Sequence, residues 1–512
     1  MKAPAEILRP GVAAPEGRRL LSEGAVYLAA TVCAQGLNFA WVLAAARLLG
    51  PSGMGVWNAF AVVLAYVGVL ELGVINAVYR EIPRARGAGS ADQVAHLRAL
   101  SLGMAALSGA VSAALVIGFG IAMAPGLRAA VAVLGLLVAA REIYLVVSTL
   151  ARADRDFALA GKAAVLRVAV WCAGLPWVAR GGLVALLAWV LAGDLAAALL
   201  LARGRGYRLR PRPFRDTLRA SPQDRPNGRL EARALLGLAG IGWPMLVSST
   251  VGTMMSTVDR MIVIALLGRA ALGYYSLAII ALSLLMVAPP VADQVLFPAM
   301  SERLGATGRV ESLRRYFETP TLALAYSAPP LMAGVALALP LLVGHLLPAY
   351  ARGLPAANVM VIGGFFLAVG TVATKLLMAI NRQRLQLAAQ CGAVGAQVAL
   401  AWILASRGLV GIAAAAAIAY GLYALAAVGL SLKFLGYGAK AAARLGALIA
   451  LPLAAYLAFD LARPAAASPA GCLGLLAIFG VGYAAWLAAM AAVLPSLRAL
   501  ALDLRAGLRP PG

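Results

Sequence analysis

Charge is scarce in this chain of 512 residues: Asp, Glu, Lys and Arg together make up 12% of it, against about 25% in an average soluble domain. Hydrophobic residues make up 62%. That balance excludes the soluble globular class and reads as a polytopic membrane protein. Histidine is rarer still: His96 and His345 are the only two, so no metal-spaced histidine cluster exists. The four cysteines, Cys33, Cys172, Cys391 and Cys472, lie scattered through apolar runs without metal-ligand spacing and read as small core residues. The sequence also lacks a P-loop and a nucleophile elbow. Without a nucleotide site, a nucleotide-driven pump is excluded; a transporter of this sequence would have to run on an ion gradient or on its substrate's own gradient. The first apolar run, from Ser22, is too long for a cleavable signal and is expected to stay as an anchor.

What is present is a succession of apolar runs. A spanning helix needs about 20 mostly apolar residues, and on that rule the chain is all-α with about fourteen transmembrane helices. The expected spans are 22–46, 56–79, 100–122, 129–150, 160–179, 183–202, 235–267, 271–300, 319–345, 355–380, 385–406, 409–433, 442–461 and 471–495. One long polar segment interrupts them, 203–234, rich in Pro and Arg and without an apolar face. It divides the chain into an N-lobe (1–202, helices 1–6), a basic cytoplasmic connector (203–234), a C-lobe (235–433, helices 7–12), and two additional helices with a tail (434–512). The connector reads either as a floppy tether or as a segment lying on anionic headgroups.

The net charge of +24 would suggest nucleic acid if the basic residues were gathered on one surface. They are instead sorted by loop. Thirty-three fall on alternate segments that share one side, seven on the opposite loops at one each, and four inside spans. This is the positive-inside pattern; it puts both termini in the cytoplasm and leaves no role for nucleic acid. Every outer loop is short, which excludes an extracytoplasmic catalytic domain of the polymerase or ligase kind. His345 falls at an outer helix end, an interfacial position.

Charges inside spans are costly and are functional candidates by default. At about 1.5 Å per residue, Glu71 and Asp293 each lie roughly 13 Å below the cytoplasmic end of their spans, near mid-bilayer. They occupy the second and eighth helices, corresponding places in the two lobes, and have no basic neighbour one turn away. They read as protonatable or cation-binding groups, proton or sodium, or else as packing pairs. Arg141, Glu142 and Asp194 also fall near mid-depth, while Arg167 and Lys375 lie shallower. Asp194 reads as packing. Asp259 and Arg260 lie further out unless Trp243-Pro244 marks the membrane entry; the seventh span, longer than needed, is expected to bend or protrude there. Arg141, Arg167, Arg260 and Lys375 read either as the lining of a cationic cavity or as paired charges. Arginine suits pyrophosphate because its fork makes two parallel hydrogen bonds. Gln35, Asn38 and Asn76 add groups for sugar hydroxyls or for interhelical hydrogen bonds.

One pattern recurs. Leu48-Leu49-Gly50 precedes Gly55-Val56-Trp57, and Leu266-Leu267-Gly268 precedes Gly273-Tyr274-Tyr275. Each closes one apolar run and opens another, so the halves are related. Asp259-Arg260 belongs to the second copy alone; Trp41 and Val42 stand at the matching places.

Arg47-Leu48-Leu49-Gly50-Pro51 with Gly55, Glu71-Leu72-Gly73 with Arg80-Glu81, Asp259-Arg260 with Leu267-Gly268 and Gly273-Tyr274-Tyr275-Ser276, and Phe297-Pro298-Ala299-Met300-Ser301 resemble the bacterial polysaccharide transporters. These are the O-antigen and exopolysaccharide repeat-unit flippases of the superfamily that also holds multidrug and toxin extruders and lipid II flippases. The resemblance covers residues 22 to 435. It implies two six-helix lobes in a V with two helices appended, and flipping of undecaprenyl-pyrophosphate-linked oligosaccharide through a cationic central cavity by alternating access. It implies no enzyme activity, and membrane lipids, polysaccharide polymerase and glycosyltransferases as partners. Carried over by position, Arg260 and Arg141 line the cavity; Asp259 and Arg260 match the motif directly, whereas Arg141, Arg167 and Lys375 rest on depth alone. A cation-coupled drug extruder, favouring acidic and aromatic groups in an N-lobe pocket, and a lipid II flippase are the alternatives on the same fold. The Arg-rich connector departs from the pattern.

Overall fold

The computed structural model describes residues 14–87, 90–154, 156–204, 228–286, 289–463 and 469–493, and among them there are helices and turns but no strand. Most of the connector and the C-terminal tail therefore lie outside the described residues. Sixteen α-helices account for the fourteen expected spans. Two helical stretches, Ala29–Glu71 and Gln383–Phe434, run to 43 and 52 residues. At 1.5 Å per residue either is about twice what a bilayer core needs, so each holds two spans joined by a turn. By contact the chain divides into two compact units, residues 1–49 with 63–250, and residues 50–62 with 251–512.

The first helix, α1 (Ala14–Ala65), is interrupted at Gly50 (φ 64, ψ 177). The repeat of that turn sits in α8 (Val258–Tyr274), where Gly268 adopts φ 85, ψ −179. The two Leu-Leu-Gly motifs thus make the same backbone excursion, one that a side chain resists, which explains the glycine in both. Three spans are not the straight helices that the apolar runs suggest. The second breaks at residues 66–73, where a 3-10 turn (Val69–Glu71) is flanked by left-handed Gly68, Leu72 and Gly73 before α2 (Val74–Gly87) resumes. The eighth breaks between α9 (Ser276–Leu285) and α10 (Pro289–Thr307), where Pro289 and Pro290 cannot carry the hydrogen-bond ladder across. The seventh span bends by 42° at Ser256-Thr257, between α7 (Gly228–Met255) and α8. Trp243-Pro244, where a bend or a protrusion is expected, lies within α7, with Trp243 exposed.

In the first unit α3 (Ala91–Met123), α4 (Arg128–Ala153), α5 (Phe157–Ala173) and α6 (Leu175–Gly204) follow one another around α4. The short turn expected at Arg180-Gly181-Gly182 is there, with Gly182 at φ 55. Arg86 and Arg98, two of the sorted basic residues, both bond the buried Asp154 carboxylate at the inner end.

In the second unit α11 (Arg314–His345), α12 (Leu354–Ala379), α13 (Gln383–Leu404) and α14 (Gly408–Phe434) form the core. Small residues let α12 and α14 approach closely: a methyl on Gly363 would stand 3.2 Å from the Ala417 Cα. Residues 50–62 of α1 pack here too, against their own repeat. Asn58 donates to Ser276 Oγ at 2.6 Å, and a Cβ on Gly55 or Gly273 would collide with the backbone of Arg269 or Pro51 respectively. The appended helices α15 (Ala439–Ala462) and α16 (Pro469–Val493) dock on α11 through an aromatic chain, Phe459, Phe479, Tyr483, Trp486 and Tyr326, with Tyr483 donating to the Tyr326 carbonyl. Cys33 and Cys391, expected in the core, are exposed. Residues of this kind on a spanning helix face lipid as readily as protein, which the apolar pattern alone does not distinguish. His345 is exposed at the C-terminal end of α11.

Candidate functional site

The first unit gathers charge at one place. Asp194 on α6 is fully buried and holds Arg141 of α4 through the guanidinium Nε. Arg167 of α5 comes to the other oxygen, with Nε 3.9 Å from Oδ1, short of a hydrogen bond. That Nε and that Oδ1 are both buried without a hydrogen-bond partner. One carboxylate thus serves two arginines and leaves the cluster with one positive charge in excess. The rest of the support is aromatic: Arg167 lies over the rings of Tyr144 and Trp171 at 4.7 and 4.8 Å, and Arg141 over Trp171 at 5.9 Å. Trp171 is itself fixed by Trp41, at 5.3 Å between ring centroids, and by donating to the Val190 carbonyl. Cations over ring faces keep part of the stabilisation that water would give them. Arg141 and Arg167 retain 17% and 23% side-chain exposure. The packing role expected of Asp194 and the cation expected of the arginines turn out to be one cluster.

Glu71 sits in the same unit, on the 3-10 turn of the broken second span. Irregular backbone at membrane depth has to be buried in protein or line a cavity. Here it is braced by α7, where a Cβ on Gly242 would stand 3.1 Å from the Gly73 Cα. Glu71 is buried, and so is Glu142 on α4, whose Oε1 accepts from Ser108 Oγ of α3 at 2.8 Å. Glu142 was visible in the sequence only as the neighbour of Arg141; its bond from Ser108 was not. Of the uncharged candidates, Gln35 is exposed on α1 and Asn38 half-buried. Asn76 lies on α2 and Asp293 on α10, with side chains outside the described residues.

The second unit has its own polar centre. The 42° bend places Asp259 in the first turn of α8, where a carboxylate meets the positive end of the helix. Asp259 is buried; Oδ1 accepts from the Arg260 backbone amide and Oδ2 from the Tyr275 hydroxyl, each at 2.8 Å. Tyr275 reaches back because the Gly268 turn folds the chain over: nine residues lead from Asp259 to Gly268 and seven onward to Tyr275, nearly equal depths at about 1.5 Å per residue. The second tyrosine of Gly-Tyr-Tyr is therefore part of the polar centre as well as of the hairpin. Arg260 is half-buried, and its Nε is buried without a partner. Tyr420 of α14 is fully buried and close enough to feel the charges of Asp259 and Arg260, and its hydroxyl has no hydrogen-bond partner. On α13, Gln386, Gln390 and Gln397 are buried with amide atoms unpaired. Their spacing marks one helix face, a signal that the sequence offered and that the search for charge passed over. Lys375 is half-buried on α12. Among the described residues no group of His, Cys, Asp and Glu is placed to hold a metal ion.

Solved structures share this architecture. The lipid II flippase MurJ in an inward closed conformation superposes with a TM-score of 0.61 at 12% identity, over 89% of this chain and 96% of that one. The inward-facing conformation of a multidrug resistance MATE family transporter of the MOP superfamily gives 0.57 at 15% identity, over 84% and 98%. The Vibrio cholerae MATE transporter VcmN, as a point mutant, gives 0.55 at 13% identity, over 81% and 96%. At these identities the likeness is one of fold. No curated protein is significantly similar to the chain in sequence. The family model described as "Polysaccharide biosynthesis protein" matches residues 44–349, which take in both Leu-Leu-Gly turns, the Arg141–Asp194–Arg167 cluster and Asp259-Arg260. A multi-pass membrane protein with the MOP-superfamily fold, the chain belongs to this polysaccharide biosynthesis family.

Proposed function

We propose that the protein is a flippase that moves undecaprenyl-pyrophosphate-linked oligosaccharide repeat units from the cytoplasmic to the periplasmic leaflet of a bacterial inner membrane. Both termini lie in the cytoplasm, and the protein works by alternating access and not as an enzyme. The observation that carries this reading is the arginine pair on Asp194. In a chain of a polysaccharide biosynthesis family, it keeps an excess positive charge and an unpaired guanidinium donor inside spanning helices. An excess guanidinium charge there is costly unless an anion offsets it, and a pyrophosphate can bond arginine in two parallel bonds. Arg260 offers a second such donor in the other unit. The buried glutamines of α13 supply the amide groups that sugar hydroxyls bond. Transport runs on a proton or sodium gradient, with Glu71 and Asp293 as the candidate coupling groups. Polysaccharide polymerase and glycosyltransferases are the expected partners.

Arg260→Ala is expected to abolish surface polysaccharide while the protein remains in the membrane at its normal level. Normal polymer from that variant counts against the reading. Export of cationic drugs by the wild type, with no effect on lipid-linked sugars, would favour a multidrug extruder instead.

A further inference from the structure

The two arginines on Asp194 are not equivalent. Arg141 of α4 bonds Oδ2 directly through its Nε. Arg167 of α5 stops with its Nε 3.9 Å from Oδ1, and both of those atoms are buried without a hydrogen-bond partner among the described residues. A gap of that length is an electrostatic contact and not a hydrogen bond. One arginine is therefore taken up by the carboxylate, and the other is held beside it but off it.

What holds Arg167 off is aromatic. Its guanidinium lies over Tyr144 at 4.7 Å and over Trp171 at 4.8 Å. Arg141 stands 5.9 Å from Trp171, at the limit of about 6 Å for such a contact. Helical spacing places both rings. Trp171 follows Arg167 by four residues on α5, and Tyr144 follows Arg141 by three on α4, so each ring shares a face with an arginine of its own helix. Gly193, next to Asp194 on α6, leaves the room: a Cβ there would stand 2.4 Å from Trp171 Nε1 and 2.6 Å from the Arg167 carbonyl oxygen. Trp41 and the bond to the Val190 carbonyl pin the Trp171 ring further. Ring faces offset part of a guanidinium's desolvation but leave its charge unneutralised.

We infer that Arg167 is the residue that takes a phosphate group of the substrate's pyrophosphate. Tyr144 and Trp171 are positioning residues that keep it from closing on Asp194. Arg141 binds no substrate; it occupies the aspartate. Without Arg141, the carboxylate's remaining partner is Arg167, the cluster's charge falls from one to zero, and the anion site is lost. The identity of the anion rests on the flippase reading; the division of labour between the arginines does not.

Two double variants carry the same net charge and differ only in which arginine remains. Arg141→Gln with Asp194→Asn leaves Arg167 in its aromatic seat, whereas Arg167→Gln with Asp194→Asn leaves Arg141. Binding of inorganic pyrophosphate to the full-length protein in detergent is measured by titration calorimetry. Affinity is expected to stay near wild type in the first and to fall about tenfold or more in the second, as for one hydrogen bond between charged groups. Arg141→Gln alone is expected to lose a similar factor, which adding Asp194→Asn restores. Equal affinities in the two double variants, or tighter binding where Arg141 remains, overturn the assignment alone.

Tyr144 touches the question without altering charge. Tyr144→Phe keeps the ring and is expected to bind as wild type, while Tyr144→Leu is expected to bind about threefold more weakly or worse. Unchanged binding in Tyr144→Leu overturns the positioning role, whatever the double variants do. If the wild type binds no pyrophosphate, the assignment and the observation behind the flippase reading fail together. If Arg167 binds it as described but the wild type moves no undecaprenyl-pyrophosphate-linked oligosaccharide in proteoliposomes, the flippase reading fails and the assignment stands.

Discussion

Asp194→Asn tests whether the arginine cluster is a functional charge site or ordinary packing. The substitution keeps the shape and removes the charge that Arg141 and Arg167 share. Removing one partner of a buried ion pair costs about 3–5 kcal/mol, because the other charge is left uncompensated. Here the arginines keep 17% and 23% of their side-chain exposure, and their ring contacts, worth about 0.5–2 kcal/mol each, survive the change. The expected loss is therefore at the low end, about 3 kcal/mol. Geometry also ranks the partners. Arg141 bonds the carboxylate directly, while Arg167 Nε stands 3.9 Å away. A double-mutant cycle of Asp194→Asn with Arg141→Gln should give a coupling of at least about 1 kcal/mol, larger than the cycle with Arg167→Gln. Unfolding of the detergent-solubilised protein, followed by the fluorescence of Trp171 and the other tryptophans, measures both. The same substitution raises the cluster's charge from one to two, so pyrophosphate should bind more tightly and leave more slowly. A coupling below about 0.5 kcal/mol with both arginines would refute the description of the cluster.

Other expectations follow from the second unit. Tyr275→Phe removes the donor from Asp259 Oδ2 and should cost about 1.5–3 kcal/mol of stability, as for a hydrogen bond to a charged group; an unchanged thermal midpoint contradicts it. Gly273→Ala should destabilise by about 1–3 kcal/mol or more, since the added methyl falls on the Pro51 backbone. Gly334→Ala, with open space around it on α11, should instead stabilise by about 0.5–1 kcal/mol. Effects of equal sign at the two glycines would show that the close contact of the repeats does not exist in solution.

The helices were legible because an apolar run of the right length has one meaning in a bilayer. The Leu-Leu-Gly echo was legible too, and Gly50 and Gly268 share the backbone geometry that it implies. The broken spans were not. Counting apolar residues is blind to backbone, and Val-Leu between Gly68 and Glu71 looks like any helix interior. The signals that were there were Gly68 with Gly73 and Pro289 with Pro290. The site was half legible. Depth singled out Glu71, Arg141, Arg167 and Asp194 as costly charges. Which of them meet depends on how α4, α5 and α6 pack, and Arg141 and Asp194 are 53 residues apart in sequence. Tyr275 was legible only as part of the Gly-Tyr-Tyr turn, because its bond depends on a fold that brings it back to Asp259. The α13 glutamines escaped because uncharged amides in a spanning helix are cheaper than charges and stand out less.

The central claim is that this chain carries a pyrophosphate-linked oligosaccharide across a bilayer by way of its intramembrane arginines. The direct measurement is translocation of a fluorescent undecaprenyl-pyrophosphate oligosaccharide in proteoliposomes, read by protection from an external quencher, for wild type, Arg141→Ala and Arg260→Ala. The account predicts gradient-dependent protection with the wild type and its loss in both variants at equal reconstitution. Equal translocation by all three, or none by a folded wild type, would contradict it.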